Sequence, residues 1–550
     1  PPTPLTPPSQ VWDGPALLTF CDGKQLGAQL DRNGLRPARF FRTDDGLVCM
    51  MSETGVVDIP DANIVEKGRL GPGQAMTIDL ETGKFRQWLE VKQDLASQAP
   101  YGEWLKKLRS RVERMPFDAE AGATQGDVEN QRDVTQMTAF GWSLEDLEMQ
   151  VSDMSNGGKE TLFSMGNDIA LAVLSESPQP LYDYFKQRFA QVTNPPIDPL
   201  REGIVMGVEM TLGKRRDLLA APAEALAEFL TLDSPVLNGA ELGEIRGLRN
   251  TATASTLYPI AAGPDGLKAA VKALCDEAER LVRGGAEVLV LSDFRDGGIT
   301  ADDAFIPPLL ATGAVHHHLI RAGLRLDASI VVETAQAWST HHIACLVGFG
   351  ASAVHPYQLW NSVRYLYESP KAKNQREKGQ LPAISLGDAY VNTRKALEAG
   401  VLKILSKIGI SLLSSYHGAQ IFEAIGLSDE LVSTAFVGTP SRIGGLTFSD
   451  LAEEAAEWQT AAFGAEAAPE RLRNYGFVKF YQRLEYHENT PPMSRQLHEA
   501  LRDRVSKGET EGWLKYEEFR KGLQTAKPVA IRNLLEIKSD RSPIDIEKVE

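Results

Sequence analysis

Cysteine is scarce in this chain of 550 residues, and its positions form no familiar pattern. The four cysteines are Cys21, Cys49, Cys275 and Cys345, and no two of them stand in a C-x-x-C pair. This wide spacing excludes a disulfide framework and also a zinc or iron–sulfur ligand set. A reducing compartment fits such a chain best.

Basic charge and long apolar runs are also lacking. The formal net charge is -16, which argues against a nucleic-acid partner, because such a partner requires a basic face. Apolar runs are short and interrupted by charges, so no membrane span is predicted. The sequence contains no nucleophile elbow, G-x-G-x-x-G loop or Walker loop. The bulk features therefore favour a small-molecule enzyme or an enzyme subunit of several domains.

The hydrophobic pattern changes three times along the chain. The first part is β-rich, with hairpins predicted at residues 40–51 and 75–91. The second is a polar linker with some helix, the third alternates helices with strands, and the fourth is polar again, with a helix at 508–523. The predicted parts are residues 1–92, 93–137, 138–455 and 456–550.

The third part predicts an α/β domain with a parallel sheet. Apolar residues mark one face of a helix before Gly284 and Gly285: Leu267, Val271, Leu274, Ala278, Leu281 and Val282. Strands are predicted at 288–291, 329–332 and 353–354, with a helix at 336–347 before the last of them. The predicted fold class is therefore α/β and multidomain.

Two acidic residues follow predicted parallel strands, and ligands bind at the carboxyl ends of such strands. They are Asp293 and Glu333. Because no partner acid or base is identifiable, capping of the next helix is the favoured interpretation of Asp293. The loop Ser441–Gly445 lies before a predicted helix start and could hold an anion, but it lacks P-loop spacing, and a turn is favoured.

Neighbouring histidines raise the question of a metal site. His316, His317 and His318 fall in a predicted helix over 309–323, where consecutive side chains point about 100° apart. They cannot converge on one ion, and His341 and His342 fail the same test. We expect packing or hydrogen-bonding histidines, and no metal ligands.

Several motifs resemble known proteins. Asp31-x-x-Gly-x-Arg-Pro37 resembles the late part of a class II glutamine amidotransferase domain. Further stretches are similar to the central domain of glutamate synthases and to the approach to their flavin domain. These stretches are residues 163–168, 181–199, 409–411, 418–426, 438–445, 485–487 and 534–541. The likeness covers nearly the whole chain in the order of the family.

The resemblance implies both a fold and an activity. Residues 1–92 would be the C-terminal part of an Ntn-type amidotransferase sandwich, and 138–455 the central domain. The intact enzyme would convert glutamine and 2-oxoglutarate to two glutamates, using FMN and a 3Fe-4S cluster. Residues 334–342 are closer to the ferredoxin-dependent branch, which makes ferredoxin the expected partner. The compartment would be the cytoplasm of a bacterium or the plastid stroma of an alga or plant.

The resemblance places the chemistry outside this segment. The catalytic cysteine would precede Pro1, the flavin and cluster ligands would follow Glu550, and this segment would bind neither cofactor and hold no catalytic residue. Its own task would be to join the two centres and to wall an ammonia channel. Thr193 and Asn194 match a motif associated with that channel; a turn before Pro195 is an equal alternative.

Other hypotheses stay open at this point. One is an independent α/β enzyme that uses Asp293 or Glu333. A second is a scaffold module without activity of its own, and a third is a glutamate synthase of the NAD(P)H-dependent branch. The opening Pro-Pro-Thr-Pro and the charged ending predict that the chain is an interior segment of a longer protein.

Overall fold

A computed structural model describes most of the chain. The described ranges are residues 15–31, 33–117, 130–161, 168–188, 206–215, 228–248, 250–464, 469–524 and 527–536, with positions 538, 542, 544, 545 and 547. Within these ranges, no helix combines the length and the apolar character that crossing a bilayer requires.

The N-terminal part is built from antiparallel strands around a small apolar core. Two sheets form, with strand orders β1-β2-β6-β7 and β4-β3-β5. Their shared core contains Ala28, Leu30, Ala38, Phe40, Leu70 and Met76. The strands are β1 (Leu17–Cys21), β2 (Gln25–Leu30), β3 (Arg39–Thr43), β4 (Val48–Met51), β5 (Ile64–Arg69), β6 (Ala75–Asp79) and β7 (Phe85–Arg86).

Both predicted hairpins are present, the second in shortened form. In the first, Phe40 pairs with Met50, and in the second Ile78 pairs with Phe85. The prediction of strand up to residue 91 is wrong beyond Arg86, because a helix begins at Trp88. The side chain of Glu90 accepts a hydrogen bond from the backbone of Gln87 (3.1 Å), and this bond stabilises the first turn of that helix.

The following elements lead into the larger core. In chain order they are α1 (Trp88–Ser97), α2 (Tyr101–Leu108), β8 (Arg109–Val112), α3 (Asn130–Ala139), a π-helical segment (Asp146–Val151), α4 (Ser152–Gly157), β9 (Phe185–Gln187), β10 (Met210–Leu212), β11 (Phe229–Leu232) and α5 (Gly239–Arg246). β8 pairs in parallel with β11, and β10 pairs with the other edge of β11 in the antiparallel direction.

The rest of the described chain alternates helices and strands before ending in helices. In chain order these are β12 (Thr251–Ser255), β13 (Leu257–Pro259), α6 (Gly266–Arg283), β14 (Val288–Ser292), β15 (Asp303–Phe305), α7 (Pro308–Arg321), β16 (Ser329–Glu333), α8 (Thr340–Gly348), β17 (Ala351–His355), α9 (Tyr357–Glu368), α10 (Pro370–Glu377), α11 (Leu386–Ile408), α12 (Leu413–Tyr416), β18 (Phe422–Ala424), α13 (Asp429–Ala435), α14 (Phe448–Phe463), α15 (Pro491–Lys507) and α16 (Glu509–Gln524).

A parallel sheet forms the centre of the large core, as the sequence predicts. Its strand order is β12-β14-β16-β17. All five residues of β14, of β16 and of β17 are buried, since helices cover these strands, and this explains their nearly continuous apolar sequences. The α/β prediction for this part of the chain is confirmed.

Of the helices that flank the sheet, α6 agrees with the sequence-based prediction, whereas α8 begins later than predicted. On α6, the predicted apolar positions Leu267, Val271 and Leu274 are buried. The helix predicted from residue 336 begins only at Thr340. Its first turn is capped by Ser339, whose hydroxyl accepts a hydrogen bond from His342 N at 3.2 Å. The residues just before Ser339 continue the apolar pattern, but they are not helical.

Candidate functional site

The residues predicted to line an ammonia channel lie outside the described structure. Thr193 and Asn194 fall between residues 188 and 206, which bound the nearest described ranges. The channel assignment therefore stays a prediction. The other sequence candidates lie in described ranges, and the geometry of each can be given.

Glu333 lies in a row of polar residues at the carboxyl edge of the parallel sheet. It is the last residue of β16 and pairs in register with Ser292, the last residue of β14, and with His355, the last of β17. Its carboxylate accepts a hydrogen bond from the Ser292 hydroxyl and contacts His355 Nδ1 at 3.3 Å. Arg246, at the end of α5, donates to both carboxylate oxygens at 3.2 and 2.5 Å.

These partners keep Glu333 ionised although only 1% of the residue is exposed. Burial by itself raises the pKa of the carboxyl, but the hydrogen bond and charge of His355, with the charge of Arg246, lower that pKa to about 2. The arrangement resembles a catalytic constellation in its residue types. Both carboxylate oxygens of Glu333 are nevertheless engaged by Ser292, Arg246 and His355, which is the pattern of a structural ion-pair network.

Asp293 binds the neighbouring strand end, and the helix-capping interpretation is wrong. Its Oδ2 accepts from the Thr334 hydroxyl at 2.5 Å, and its Oδ1 accepts from Ala335 N at 3.0 Å. The next helix begins only at Pro308. Burial raises the pKa of Asp293 to about 7. The sequence could not reveal this partner, because the two strand ends meet only in the folded sheet.

The histidines of α7 each have a different partner. Arg325 Nε donates to His316 Nδ1 at 2.8 Å, while His317 Nε2 lies 3.0 Å from Gln420 Nε2. His318 Nε2 lies 2.7 Å from the carboxylate of Glu279. Their role as hydrogen-bonding residues is confirmed.

The second histidine pair is likewise engaged in packing. His341 Nε2 lies 2.9 Å from the carbonyl oxygen of Tyr182, and the ring of His342 stacks on the Tyr182 ring at 4.1 Å between centroids. Across the ranges that the structure describes, no three His, Cys, Asp or Glu residues form a group able to hold a metal ion.

The loop Ser441–Gly445 is a packed turn, as predicted. The hydroxyl of Ser441 donates to the carbonyl oxygens of Leu427 (3.2 Å) and Ile443 (3.3 Å). Gly445 lies directly against the backbone of Gly426, where a Cβ would collide with the carbonyl oxygen. The helix that follows, α14, is capped by Thr447 and not by this loop.

A cavity of about 840 Å³ was missed by sequence reasoning. We call it the Asp183 cavity. It lies between the π-helical segment, the chain just before β9 and the C-terminal segments near 477–478 and 529–532. Its polar lining includes Asp146, Gln150, Gln179, Asp183, Lys186 and Arg532. No local motif unites residues so far apart in sequence, although π-helical turns often occur at functional sites.

Two carboxyl groups dominate the electrostatics of the Asp183 cavity. Burial raises the pKa of Asp146 to about 6, although Ser143 donates to its Oδ2 from both N (2.9 Å) and Oγ (2.6 Å). Burial also raises the pKa of Asp183 to about 6, against the charge of Lys186. Each carboxylate is thus destabilised by lost hydration and would gain from a positive partner.

Comparison with models of known families finds two matches along this chain. The model described as "Glutamate synthase central domain" matches residues 135–428. The chain belongs to the glutamate synthase family. The model described as "Glutamine amidotransferases class-II" matches residues 7–104, so this glutamate synthase segment carries the two domains in the order that the motifs predict.

The curated relatives extend the match beyond the two domains. The chain is 51% identical over 546 residues to ferredoxin-dependent glutamate synthase 2 of Synechocystis sp., covering 98% of this chain and 35% of that protein. It is 47% identical over 547 residues to the chloroplastic ferredoxin-dependent glutamate synthase of Oryza sativa subsp. japonica, covering 98% and 33%. The chain therefore spans about a third of the length of these relatives.

Solved structures give only a faint likeness. The flavin-binding domain of baker's yeast flavocytochrome b2 aligns with 41% of this chain and 48% of its own, at 12% identity and a TM-score of 0.23. An alignment at this level carries no argument about fold or function.

Proposed function

We propose that this chain is the segment of a ferredoxin-dependent glutamate synthase that joins the amidotransferase centre to the FMN centre. The intact enzyme would convert glutamine and 2-oxoglutarate to two glutamates with electrons from reduced ferredoxin. The observation that carries the proposal is the 51% identity to a ferredoxin-dependent relative across 98% of the chain. The NAD(P)H-dependent and scaffold alternatives are not favoured by these relatives.

The proposed contribution of the segment is containment. Ammonia freed into water at pH 7 would take up a proton, and ammonium has no lone pair with which to attack a carbonyl. A passage closed to water keeps the amine neutral. The large apolar core around the parallel sheet supports this role, because it supplies rigid walls. Thr193 and Asn194 are the proposed channel residues, since a hydroxyl and an amide can exchange hydrogen bonds with a neutral amine.

The proposed cofactors do not fit the described residues. Cys275 on α6 and Cys345 on α8 are buried separately, Cys21 is exposed, and the described ranges contain no metal-binding group of three side chains. The residues that the structure describes supply no ligand set for a 3Fe-4S cluster. We propose that the ligands of the cluster and of FMN lie in other parts of the intact enzyme.

The domain limits and the compartment complete the proposal. Residues 1–92 would form the last part of an Ntn-type sandwich, 93–137 a linker, 138–455 the central domain and 456–550 the connector to the flavin domain. The antiparallel sheets β1-β2-β6-β7 and β4-β3-β5 support the first assignment. The compartment would be the bacterial cytoplasm or the plastid stroma, in keeping with relatives named chloroplastic.

The test uses the full-length enzyme that contains this segment. Glutamate formation from glutamine and 2-oxoglutarate is measured with reduced ferredoxin or with NADPH as the electron donor. We expect turnover with ferredoxin and none with NADPH; turnover with NADPH alone would overturn the assignment.

A variant of the same enzyme tests the channel. Asn194→Ala should raise the amount of glutamine hydrolysed per glutamate synthesised, because ammonia would escape. The matched control is Asn374→Ala at an exposed position on α10. Equal coupling in the two variants would remove Asn194 from the channel.

A further inference from the structure

A cavity of about 720 Å³ lies in the N-terminal part of the structure, at the sheet β4-β3-β5. We call it the Arg39 cavity. It is lined by residues of β3 and β5, by the last residue of β4, and by the loop that leads from β4 to β5. All of these residues fall within the amidotransferase match at 7–104. A volume of this size is ordinary for a small-molecule site.

Two arginines stand side by side at the Arg39 cavity. Arg39 on β3 and Arg69 on β5 are directly opposite each other in the antiparallel register, which places their Cβ atoms about 5 Å apart. The strands remain paired at this point, since Leu70 N donates to the carbonyl oxygen of Ala38 at 2.9 Å. Both arginines are exposed and line the cavity. Like charges in this position destabilise a sheet unless something neutralises them.

The acids of the lining do not neutralise the two arginines. Asp61 is paired with Lys67, whose Nζ donates to its Oδ1 at 2.7 Å. Among the described residues, no carboxylate oxygen lies within 4.0 Å of the guanidinium group of Arg39 or Arg69. Only Asp58 remains as an unpaired acid of the lining. The cavity therefore keeps an excess of positive charge, although the whole chain has a net charge of -16.

Protection of a sheet edge does not explain this charge. Natural sheets often place basic side chains on edge strands to prevent pairing with other molecules. Arg39, however, lies on β3, which is the middle strand of the sheet. Its charge therefore has no edge to protect, and an anionic ligand is the simplest partner for it.

Two adjacent guanidinium groups favour phosphate over carboxylate as that anion. A guanidinium group donates two parallel hydrogen bonds to a pair of oxygens, so a single arginine already occupies both oxygens of a carboxylate. A phosphate monoester offers three terminal oxygens and a charge of about -1.5 to -2 at pH 7. Both arginines can share it, and its charge offsets their repulsion.

Apolar side chains line the cavity beside the arginines. Met51 is paired with Arg39 in register on the other side of β3, and Phe41 follows two residues after Arg39 on the same face of the strand. Both line the cavity and are 8% exposed. On the loop, Val57 is 42% exposed, and Ile59 is half-buried. An apolar ring attached to the phosphate would remove this surface from water, which free phosphate cannot do.

We propose that the Arg39 cavity binds a phosphate monoester carried on an apolar ring, the chemistry of a nucleoside monophosphate. Arg39 and Arg69 share the phosphate, and the ring packs against Val57 and Ile59. Asp58 accepts hydrogen bonds from the sugar hydroxyl groups. The site goes beyond the proposed function and does not depend on it, because the described side chains define it and no step of glutamate synthesis uses it.

The test is a calorimetric titration of the 550-residue chain with AMP. We expect AMP to bind, inorganic phosphate to bind at least about tenfold more weakly, and adenosine to give no measurable heat. Absence of AMP binding overturns the proposal. Inorganic phosphate binding as tightly as AMP overturns it too, because the cavity would then hold an adventitious ion only. Adenosine binding as tightly as AMP would show that the arginines contribute nothing.

A second pair of probes separates phosphate from carboxylate on the same ring. Phenyl phosphate should bind several-fold more tightly than benzoate, because only the phosphate has oxygens for both arginines. Equal affinities would refute the assignment of phosphate as the anion.

Variants assign the binding to the Arg39 cavity. Arg39→Gln and Arg69→Gln should each weaken AMP binding at least about tenfold. The control is Lys84→Gln, which removes the same charge at an exposed position of the N-terminal part, outside the lining, and should leave the affinity unchanged. If the two arginine variants bind AMP like this control, the assignment is wrong.

The melting temperature of the ligand-free chain guards against a structural explanation. Each arginine variant relieves the repulsion across the two strands, so its melting temperature should equal or exceed that of the unchanged chain. A lower melting temperature in both variants would show that the arginines stabilise the sheet, and it would overturn their role as ligand-binding residues.

The titration with AMP is repeated on the full-length enzyme. AMP should bind with similar affinity there. If AMP binds the 550-residue chain and fails to bind the full-length enzyme, other parts of the enzyme cover the cavity and the proposal is overturned. Loss of ferredoxin-linked turnover would bear on the proposed function alone.

Discussion

The buried ion pair between Glu241 and Arg394 allows a sharp test of how the central core is held together. Arg394, on α11, donates to the two carboxylate oxygens of Glu241, on α5, at 2.9 and 2.8 Å. Their exposed fractions are 4% and 3%. The guanidinium carbon also lies 4.6 Å from the centre of the Phe117 ring. The Arg394 side chain thus connects α11 with α5 and with the segment that precedes α3.

Replacing Arg394 with Met removes the charge and keeps most of the side-chain volume. Glu241 cannot turn away to solvent, because its carboxylate also accepts from the backbone nitrogens of Met115 (3.0 Å) and Asn238 (2.9 Å). It would remain buried without a counter-ion. Breaking a buried pair in this way costs about 3–5 kcal/mol, a large part of the stability of an ordinary domain.

The free energy of unfolding is measured by urea titration, with tryptophan fluorescence as the probe. Arg394→Met should lose about 3–5 kcal/mol, and adding Glu241→Gln should recover part of that loss, since the unpaired charge is then gone. The control is Lys272→Met, which breaks the exposed pair with Asp276 and should change little. If Arg394→Met were as stable as this control, the pair would not hold the core.

Two further predictions concern the other buried features. The raised pKa of Asp293, about 7, means that the stability gained from protonating it is complete below the unfolded pKa near 3.9 and lost as pH rises to about 7. In Asp293→Asn, the free energy of unfolding should therefore fall less between pH 4 and 8 than it does with Asp293 present, because the amide does not titrate. An unchanged pH profile would contradict this prediction. Gly445→Ala should cost about 1–3 kcal/mol, because its Cβ would meet Gly426, whereas Gly444→Ala has open space and should melt normally. Equal melting temperatures would refute this.

Elements with a strong local pattern are predictable from the sequence. The apolar face of α6 follows from the 3.6-residue period, and β14 and β16 from short apolar runs bounded by turns. The start of α8 could not be found in this way, because the apolar pattern extends upstream of Ser339, whereas the helix begins only after this N-cap residue. Local sequence signals therefore predict that a helix or strand is present, but they do not determine the residue at which it begins.

The site was harder to predict, because its residues meet only through tertiary structure. Glu333 and Asp293 were found as strand-end acids, but their partners Arg246 and Thr334 come from other strand ends and from α5. The lining of the Asp183 cavity extends from Asp146 to Arg532. Nothing in a local window marks such residues, since each is an ordinary polar residue in its own segment.

The pairing of β8 with β11 limits where a truncated form of this polypeptide can begin. The central-domain match starts at residue 135, yet β8, at Arg109–Val112, forms one edge of the sheet β10-β11-β8. A truncated chain that begins at the family boundary would leave one side of β11 with unsatisfied backbone groups and would also remove Phe117 from its stack on Tyr390. Exposed edges of this kind recruit strands from other molecules, so such a truncation should aggregate, whereas a chain that begins before Arg109 should remain dispersed.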